Sequence, residues 1–234
     1  MYRINAQSRS LEEACLRLGV PYRLIGGLRF YQRKEVKDIV AYLRLIQNPY
    51  DEISLERIIN TPSRAIGQRS IEEVTLWGKA RGLPLYAALQ AVVSAHLGGE
   101  STPLTPRALS AIERFLQLIS GLIAAAGDWT VAELLDAVLE RVGYRDYLFA
   151  SDNDRGEEQW ENIQELRGQA TEIQELVPDS ALPAFLEHVA LVSNVDGMDD
   201  QADALTLITL HQAKGLEYPV VFIVGLEEGL LPHA

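Results

Sequence analysis

Strand-like segments occur only near the two ends of this sequence, and a long helical pattern separates them. Residues 205–210 and 220–224 have the pattern of strands, the second as a continuous apolar run, and residues 22–25 are a short strand candidate that ends at Gly26-Gly27. A continuous apolar run is typical of a parallel strand buried on both faces. Two strands at one end have too little to pack against by themselves. We therefore predict an α/β fold with a partial parallel sheet, interrupted by a large all-α insertion and mostly helical overall.

Apolar spacing and helix caps define the predicted helices. Capping boxes begin at Ser10, Ser70 and Thr130, each with a glutamate three residues later, and Thr105 precedes a proline at a first helical position. On the first helix, Cys15 falls on the apolar face and is expected in the core. The predicted helices span residues 10–18, 33–47, 54–60, 70–81, 84–94, 106–125, 130–142, 157–176 and 181–192, with loops at 95–105 and 193–203.

The net charge of −12 is unevenly distributed along the chain. Residues 1–50 hold nine Lys/Arg and four Asp/Glu (+5), and residues 51–84 hold five of each (0). Residues 85–234 hold seven basic and twenty-four acidic residues (−17). An anionic ligand therefore belongs with the first 84 residues, because the local field matters more than the total charge.

Several classes of protein do not fit the composition. The single cysteine excludes an internal disulfide framework and suits a reducing compartment, so we expect a cytoplasmic protein. The start of the sequence lacks the apolar core of a secretory signal, and no uninterrupted apolar run approaches the ~20 residues of a membrane span. The four histidines stand far apart in sequence, so we predict no metal site.

The segment of residues 209–219 (TLHQAKGLEYP) joins the two C-terminal apolar runs. Ligands of parallel sheets bind beyond the carboxyl ends of the strands. A lysine and backbone N–H groups at such a turn suit phosphate, and a carboxylate suits a ribose hydroxyl. A simple turn with solvated charges is the alternative that these residues leave open.

A second segment of interest is residues 60–70 (NTPSRAIGQRS), between two predicted helices. Gly67 before a helix start lets backbone N–H groups approach a phosphate, and Arg64 and Arg69 add positive charge. A tight turn between helices is the alternative. The tryptophans at 77, 129 and 160 fall in or beside helical patterns, so we expect core packing rather than base stacking, whereas Phe30 and Tyr31 are candidates for either.

Five segments closely resemble superfamily 1 DNA helicases of the UvrD/PcrA/Rep family. Residues 209–219 resemble helicase motif V, and residues 220–232 (VVFIVGLEEGLLP) continue the likeness. Residues 2–9 (YRINAQSR) resemble motif IV, and residues 26–31 (GGLRFY) and 35–38 (EVKD) resemble the family's segment after that motif. The resemblance implies a RecA-like subdomain at residues 1–50 and 203–234, with a helical subdomain inserted at 51–202.

The resemblance also implies roles for individual residues. Arg9 resembles the motif IV arginine that reaches the nucleotide's phosphates and stabilises charge on the γ-phosphate, and Glu217 resembles the motif V acid near the ribose. His211 and Lys214 resemble motif V residues that lie on the single-strand path or couple it to the ATP cleft. The family is an ATP- and Mg²⁺-dependent motor that moves 3′→5′ along single-stranded DNA in repair or replication.

Residues 60–70 resemble the family's helix–hairpin–helix-like duplex contact. Through this resemblance Arg64, Gly67 and Arg69 are expected to bind DNA at a single-strand/duplex junction. Ala65 stands where the family has the first glycine of Gly-Ile-Gly.

The sequence contains no Gly-x-x-x-x-Gly-Lys-[Ser/Thr] segment, and Gly78-Lys79 is followed by Ala80. The arginine of helicase motif VI is also missing. The sequence is expected to begin inside the strand that carries motif IV, because apolar strand residues should precede Tyr2. We therefore interpret the chain as a helicase fragment that hydrolyses no ATP alone, holds no cofactor and at most binds duplex DNA weakly. The alternatives are a stand-alone, non-catalytic DNA-binding or regulatory module, and a piece of a helicase–nuclease recombination subunit. The sequence does not specify repair-protein partners, and it predicts no membrane partner.

Overall fold

The structure is a computed structural model that describes residues 1–3, 7–25, 30–150, 153–195 and 204–227. Four parts of the predicted features lie outside these residues. They are residues 4–6 of the motif IV segment, residues 26–29 with Gly26-Gly27, residues 196–203 of the predicted loop, and residues 228–232 after motif V. Contacts divide the chain into two compact units. Unit 1 comprises Met1–Lys37, Leu148–Leu166 and Glu187–Ala234, and unit 2 comprises Asp38–Tyr147 and Arg167–Leu186. The predicted boundaries at 50/51 and 202/203 rest on sequence pattern and stay a prediction.

Helices dominate the described residues, as the sequence predicts. Short 3-10 turns at Phe30–Gln32 and Pro178–Ser180 precede two of the helices. The elements are α1 (Ser8–Leu18), β1 (Tyr22–Leu24), α2 (Lys34–Gln47), α3 (Glu52–Ile58), α4 (Gln68–Lys79), α5 (Leu85–Leu97), α6 (Pro106–Ala125), α7 (Val131–Val142), α8 (Tyr144–Phe149), α9 (Asn153–Leu176), α10 (Ala181–Val195) and β2 (Leu205–Leu207).

Unit 1 contains a small parallel sheet built from both ends of the sequence. β1 pairs with β2 in parallel over three residues on each strand. Tyr2 lies along the continuation of β2: its N–H donates to the carbonyl of Ile208 at 3.1 Å, and its carbonyl accepts from the N–H of Leu210 at 2.8 Å. A mostly helical chain with a parallel sheet from its two ends is thus confirmed, and the RecA-like arrangement stays a prediction.

The predicted strand at residues 220–224 is wrong for the described structure. These residues have no regular secondary structure, and the side chains of Val220 and Phe222 are each 70% exposed. Their backbone bonds run to Met1, which donates to Phe222 O at 2.6 Å and accepts from Val224 N–H at 3.1 Å. A buried parallel strand needs continuous pairing and cover on both faces. Among the described residues, the segment 220–224 has neither continuous backbone pairing nor cover on both faces.

Unit 2 has a helical core, and Asp38 is the buried charge among those of its residues whose burial is described. Asp38 is 2% exposed, and its carboxylate accepts hydrogen bonds from Arg57 Nε and from the hydroxyl of Tyr144, both at 2.8 Å. Helix α6 has the length and apolar composition of a membrane span, but its buried face belongs to this core. The apolar core includes Leu89, Val92, Ile112, Phe115, Ile119, Leu135 and Val138, all at most 1% exposed.

Two of the predicted helix caps form and two do not. Thr130 and Glu133 make both bonds of a capping box, and the Thr105 hydroxyl accepts from the N–H of Ala108. The boxes predicted at Ser10 and Ser70 are wrong, because α1 and α4 begin two residues earlier. Helix α1 begins at Ser8 because the buried side chains of its first turn hold those residues, and α4 begins after the extended residue Gly67.

The aromatic predictions had mixed outcomes. All three tryptophans are half-buried rather than in the core, and Arg81 stacks on the Trp77 ring with 3.8 Å between guanidinium carbon and ring centroid. Phe30 and Tyr31 are instead buried, at 1% and 4% exposed, and their rings meet edge to face. Cys15 is buried, as predicted.

Removing a real cap should destabilise the chain, whereas removing a serine that makes no cap should not. We expect Thr130→Ala to lower the free energy of unfolding of unit 2 by about 1 kcal/mol. Ser70→Ala is the matched control, because Ser70 lies inside α4. Urea unfolding followed by circular dichroism measures both. An equal loss in the two variants would contradict this assignment of the caps.

Candidate nucleotide and DNA contacts

Arg9 lies in the first turn of α1 and is held by two carboxylates of unit 1. Its Nη1 is 3.1 Å from Glu13 Oε1, one helical turn away, and its Nε donates to Glu165 Oε1 of α9. The side chain of Arg9 is 9% exposed. Tyr31 donates its hydroxyl to Glu13 at 3.3 Å, so the first carboxylate is itself anchored.

The charges of this cluster shift the pKa values of its members. Burial would lower the pKa of Arg9, but Glu13 and Glu165 together raise it above its ordinary value. Burial would raise the pKa of Glu13, but His188 and Arg9 together lower it. His188 Nε2 lies 3.8 Å from Glu13 Oε1, an ion-pair distance rather than a hydrogen bond. Arg9 is therefore a fixed cation, and the lowered pKa of Glu13 keeps that carboxylate ionised at neutral pH.

A second polar group in unit 1 links the start of α1 to α9. Arg33 donates through Nη2 to Ser8 Oγ at 2.8 Å and through Nη1 to Asn162 Oδ1 at 2.5 Å. Asn162 in turn donates to Glu35 Oε1 at 2.6 Å. All four residues are at most 6% exposed, so each polar group needs a partner within the protein.

The predicted motif V residues lie on an exposed turn of unit 1. The turn starts at Thr209, whose hydroxyl accepts from the N–H of Gln212 at 3.3 Å. His211, Lys214 and Glu217 are all exposed to solvent. Arg9 belongs to the same unit as these three residues, whereas Arg64, Gly67 and Arg69 belong to unit 2. Contact with nucleotide or DNA stays a prediction for each of them.

The loop between α3 and α4 in unit 2 is organised by Asn60 and Arg64. The side-chain oxygen of Asn60 accepts from the N–H groups of Arg64 at 2.7 Å and Ile66 at 3.3 Å. Arg64 Nη1 donates to the carbonyls of Ile58 at 2.8 Å and Thr61 at 3.2 Å, at the end of α3. The Ile58 carbonyl also accepts from the N–H of Thr61 at 3.0 Å, and the Thr61 carbonyl from the hydroxyl of Tyr42 at 2.6 Å, so Arg64 reinforces the turn that follows α3.

The Arg64 guanidinium also contacts two aromatic side chains of unit 2. Its Nη2 donates to the hydroxyl of Tyr42, and its carbon lies 5.5 Å from the centre of the Phe115 ring. Desolvation by burial raises the pKa of Tyr42 to about 12, so this hydroxyl stays protonated. Arg64 is therefore engaged in contacts within unit 2, and the sequence did not predict these contacts.

Arg69 and Gly67 differ from Arg64, because they face solvent. The Arg69 side chain is 89% exposed and pairs with Glu73, one turn along α4, at 2.8 Å. Gly67 is the residue before α4, no side chain of the described residues caps this helix start, and a Cβ on Gly67 would meet nothing within 4 Å. The positive end of the α4 dipole and one cation therefore lie together on the surface of unit 2.

Sequence reasoning missed Glu13, Glu165, Arg33 and Asn162. Glu13 is four residues after Arg9, a spacing that predicts an ion pair on one helix, but the predicted helix began after Arg9. Glu165 and Asn162 are far from their partners in sequence, so no local signal identifies them.

With this geometry in place, comparison with known proteins defines the class of the chain. The sequence pattern of the UvrD-like helicase C-terminal domain matches residues 1–96 and 109–234. This protein therefore belongs to the UvrD-like helicase family, as its motifs indicate.

Individual relatives are similar over the whole chain. The chain is 39% identical over 240 residues to the ATP-dependent DNA helicase PcrA of Bacillus subtilis, covering 100% of the chain and 32% of the relative. It is 43% identical over 247 residues to the ATP-dependent DNA helicase UvrD1 of Mycobacterium tuberculosis, covering 99% and 31%. It is 40% identical over 238 residues to DNA helicase II of Escherichia coli, covering 99% and 32%. The chain thus spans roughly a third of the length of these curated relatives.

The contacts of Arg64 predict a structural role that can be separated from DNA binding. We expect Arg64→Ala to lower the free energy of unfolding of unit 2 by about 2 kcal/mol, because hydrogen bonds from a charged donor to buried acceptors are lost. Arg69→Ala is the matched control and should leave the urea midpoint unchanged, since its side chain faces solvent. Equal midpoints for the two variants would show that the Arg64 contacts contribute nothing.

The backbone at Ala65 predicts a stabilising substitution. Ala65 has a φ of 62°, in the left-handed region that favours glycine. We expect Ala65→Gly to raise the free energy of unfolding by up to about 1 kcal/mol, after the greater freedom of glycine in the unfolded chain is subtracted. Ala80→Gly is the control, because Ala80 has a φ of −62°, and it should destabilise. A lower urea midpoint for Ala65→Gly would contradict the argument.

Proposed function

We propose that this chain is the part of an ATP-dependent DNA translocase that contributes an arginine to the ATP site and a duplex-binding loop to the DNA path. The observation that carries the proposal is a match over the whole chain to proteins named ATP-dependent DNA helicases. In this proposal the full-length protein uses ATP and Mg²⁺, moves 3′→5′ on single-stranded DNA and acts in repair or replication in the cytoplasm.

The proposed nucleotide contacts are Arg9 and Glu217. A guanidinium that stays charged stabilises the negative charge that develops on a transferred γ-phosphate. Arginine stays charged at every physiological pH, and Glu13 and Glu165 hold this side chain in place. Exposed Glu217 suits a hydrogen bond from a ribose hydroxyl, and exposed His211 and Lys214 suit a single strand that passes the same turn.

The proposed duplex contact is the start of α4. Uncapped N–H groups after Gly67 and the exposed Arg69 side chain present positive charge to a phosphate. The loop geometry supports a structural role for Arg64 rather than a contact with phosphate. Its hydrogen bonds to the carbonyls of Ile58 and Thr61 stabilise the loop. The acidic remainder of the chain keeps DNA binding by the chain alone weak.

The chain alone is proposed to be inactive as an ATPase. Its 234 residues contain no phosphate-binding Gly-x-x-x-x-Gly-Lys-[Ser/Thr] segment. DNA-stimulated ATP turnover by the purified chain, above that of a mock preparation, would refute this proposal.

The two proposed contacts are tested in the full-length protein by a pair of single substitutions. We expect Arg9→Ala to reduce ATP turnover about a thousandfold, since it removes charge from the transition state, and to leave DNA binding intact. We expect Arg69→Ala to keep single-strand-stimulated turnover and to flatten the salt dependence of junction binding by about one unit of slope, because one phosphate contact is lost.

Both quantities are measured for both variants, namely ATP turnover on single strands and junction affinity across a salt series. Normal turnover by Arg9→Ala would refute the nucleotide contact. An unchanged salt slope for Arg69→Ala would refute the duplex contact.

A further inference from the structure

The hydroxyl of Tyr42 joins helix α2 to the loop between α3 and α4. It donates to the carbonyl of Thr61 at 2.6 Å and accepts from Nη2 of Arg64. Tyr42 is fully buried, so both bonds lie out of contact with bulk solvent. Burial raises the pKa of Tyr42 to about 12, so the hydroxyl keeps the proton that it donates. One buried oxygen therefore serves the loop both as a donor and as an acceptor.

Hydrogen bonds connect Tyr42 to the start of α4 through the residues of the loop. The backbone N–H of Arg64 donates to the side-chain oxygen of Asn60 at 2.7 Å. The same oxygen accepts from the N–H of Ile66 at 3.3 Å, and the Ile66 side chain is buried. Ile66 directly precedes Gly67, after which α4 begins. The backbone that leads into α4 is thus fixed by contacts within unit 2 that include the Tyr42 hydroxyl.

Helix α2 supports this part of unit 2 through two side chains on one face. Asp38 and Tyr42 are four residues apart, so they project in the same direction. Asp38 accepts from Nε of Arg57 in the last turn of α3, whereas Tyr42 bonds to the loop that follows that helix. Asp38 therefore holds the helix, and Tyr42 holds the backbone after it, where the chain turns toward α4.

We propose that Tyr42 is the positioning residue of the duplex contact, and that its hydroxyl holds the start of α4 in the orientation that presents Gly67 and Arg69 to a phosphate. The inference rests on the proposed duplex contact of α4. Tyr42 itself touches no DNA, because it is buried. Backbone N–H groups that bind a phosphate must be aligned by the main chain, since they have no side-chain freedom of their own. Holding them in place beforehand strengthens binding, because less ordering is required when the phosphate arrives.

The opposite role for the same hydroxyl has the opposite sign. Arg64 is a cation that Tyr42 holds inside unit 2, so the hydroxyl would act by withholding this charge from DNA. Its removal would then release Arg64 to a phosphate, and junction binding would become tighter and more dependent on salt. If the hydroxyl positions α4, its removal makes junction binding weaker and less dependent on salt.

The test uses the full-length protein with Tyr42→Phe, with Arg69→Ala, and with both, and Tyr86→Phe is the control. Both tyrosines are buried in unit 2, and the Tyr86 ring packs edge to face against Tyr50. We expect Tyr42→Phe to lower junction affinity about fivefold, the equivalent of one hydrogen bond. The salt dependence of junction binding should flatten by up to about one unit of slope. Tyr86→Phe should match the unsubstituted protein.

Two further measurements distinguish positioning from a general structural role. Added to Arg69→Ala, Tyr42→Phe should flatten the salt slope no further, since it acts on that slope only through Arg69. ATP turnover on single strands is measured for the same variants, because a loosened fold would reduce it together with junction binding. A loss of turnover by Tyr42→Phe as large as its loss of junction affinity overturns the inference.

The outcomes separate this inference from the proposed function. An unchanged salt slope for Arg69→Ala refutes the duplex contact, whatever Tyr42→Phe does. A flattened slope for Arg69→Ala, with junction binding by Tyr42→Phe equal to that by Tyr86→Phe, overturns the inference alone. Tighter junction binding by Tyr42→Phe also overturns it, as does a further fall in slope in the Arg69→Ala background.

Thermal unfolding midpoints are compared for all variants. If Tyr42→Phe does not fold, Arg64→Lys decides, because a lysine keeps the charge but lacks the fork that joins the Tyr42 hydroxyl to the carbonyls at the end of α3. We expect Arg64→Lys to flatten the salt slope of junction binding as Tyr42→Phe does. A slope equal to that of the unsubstituted protein overturns the inference.

Discussion

The parallel pairing of β1 with β2 is the constraint on which the rest of the chain depends. Parallel neighbours cannot be joined by a tight turn, and they need a crossover that leaves the sheet and returns to it. Here the first pair of the ladder is Tyr22 and Leu205, so most of the sequence forms that crossover. The intervening helices therefore need a core of their own, and unit 2 supplies one, with Asp38 as its one fully paired buried carboxylate among the described core residues.

Local chemistry made much of this fold predictable. Apolar spacing predicted the helices of unit 2 to within a few residues, apart from the short α8, and in the two caps that formed the threonine side chain at 105 or 130 accepts from a backbone N–H of the first turn. The caps at Ser10 and Ser70 failed for a common reason: burial and backbone geometry outside the capping pattern decided where those helices begin. The strand at 220–224 failed because an apolar run specifies burial but not the neighbour that provides it.

The candidate site was predictable as a set of residues but not as a set of contacts. Motif resemblance selected Arg9 and Arg64 equally, as cations for phosphate. The structure distinguishes them: Arg9 is paired with carboxylates, whereas Arg64 is bonded to carbonyls at the end of α3. Among the partners of the two arginines, only Glu13 has a recognisable sequence signal, because it lies four residues after Arg9. Residues brought together across the chain, such as Glu165, become visible only when the fold is known.

The left-handed alanine in the α3–α4 loop shows where the shape of that loop originates. Alanine rarely adopts a φ of 62°, so contacts elsewhere impose the conformation. Asn60 accepts hydrogen bonds from two amides of the loop, and Tyr42 and the end of α3 hold Arg64. The backbone conformation of the loop therefore depends on contacts with residues outside it. Residues 59–67, grafted onto another helical pair without these anchors, would relax to a different backbone, and the recognition element is the loop together with the helices that shape it.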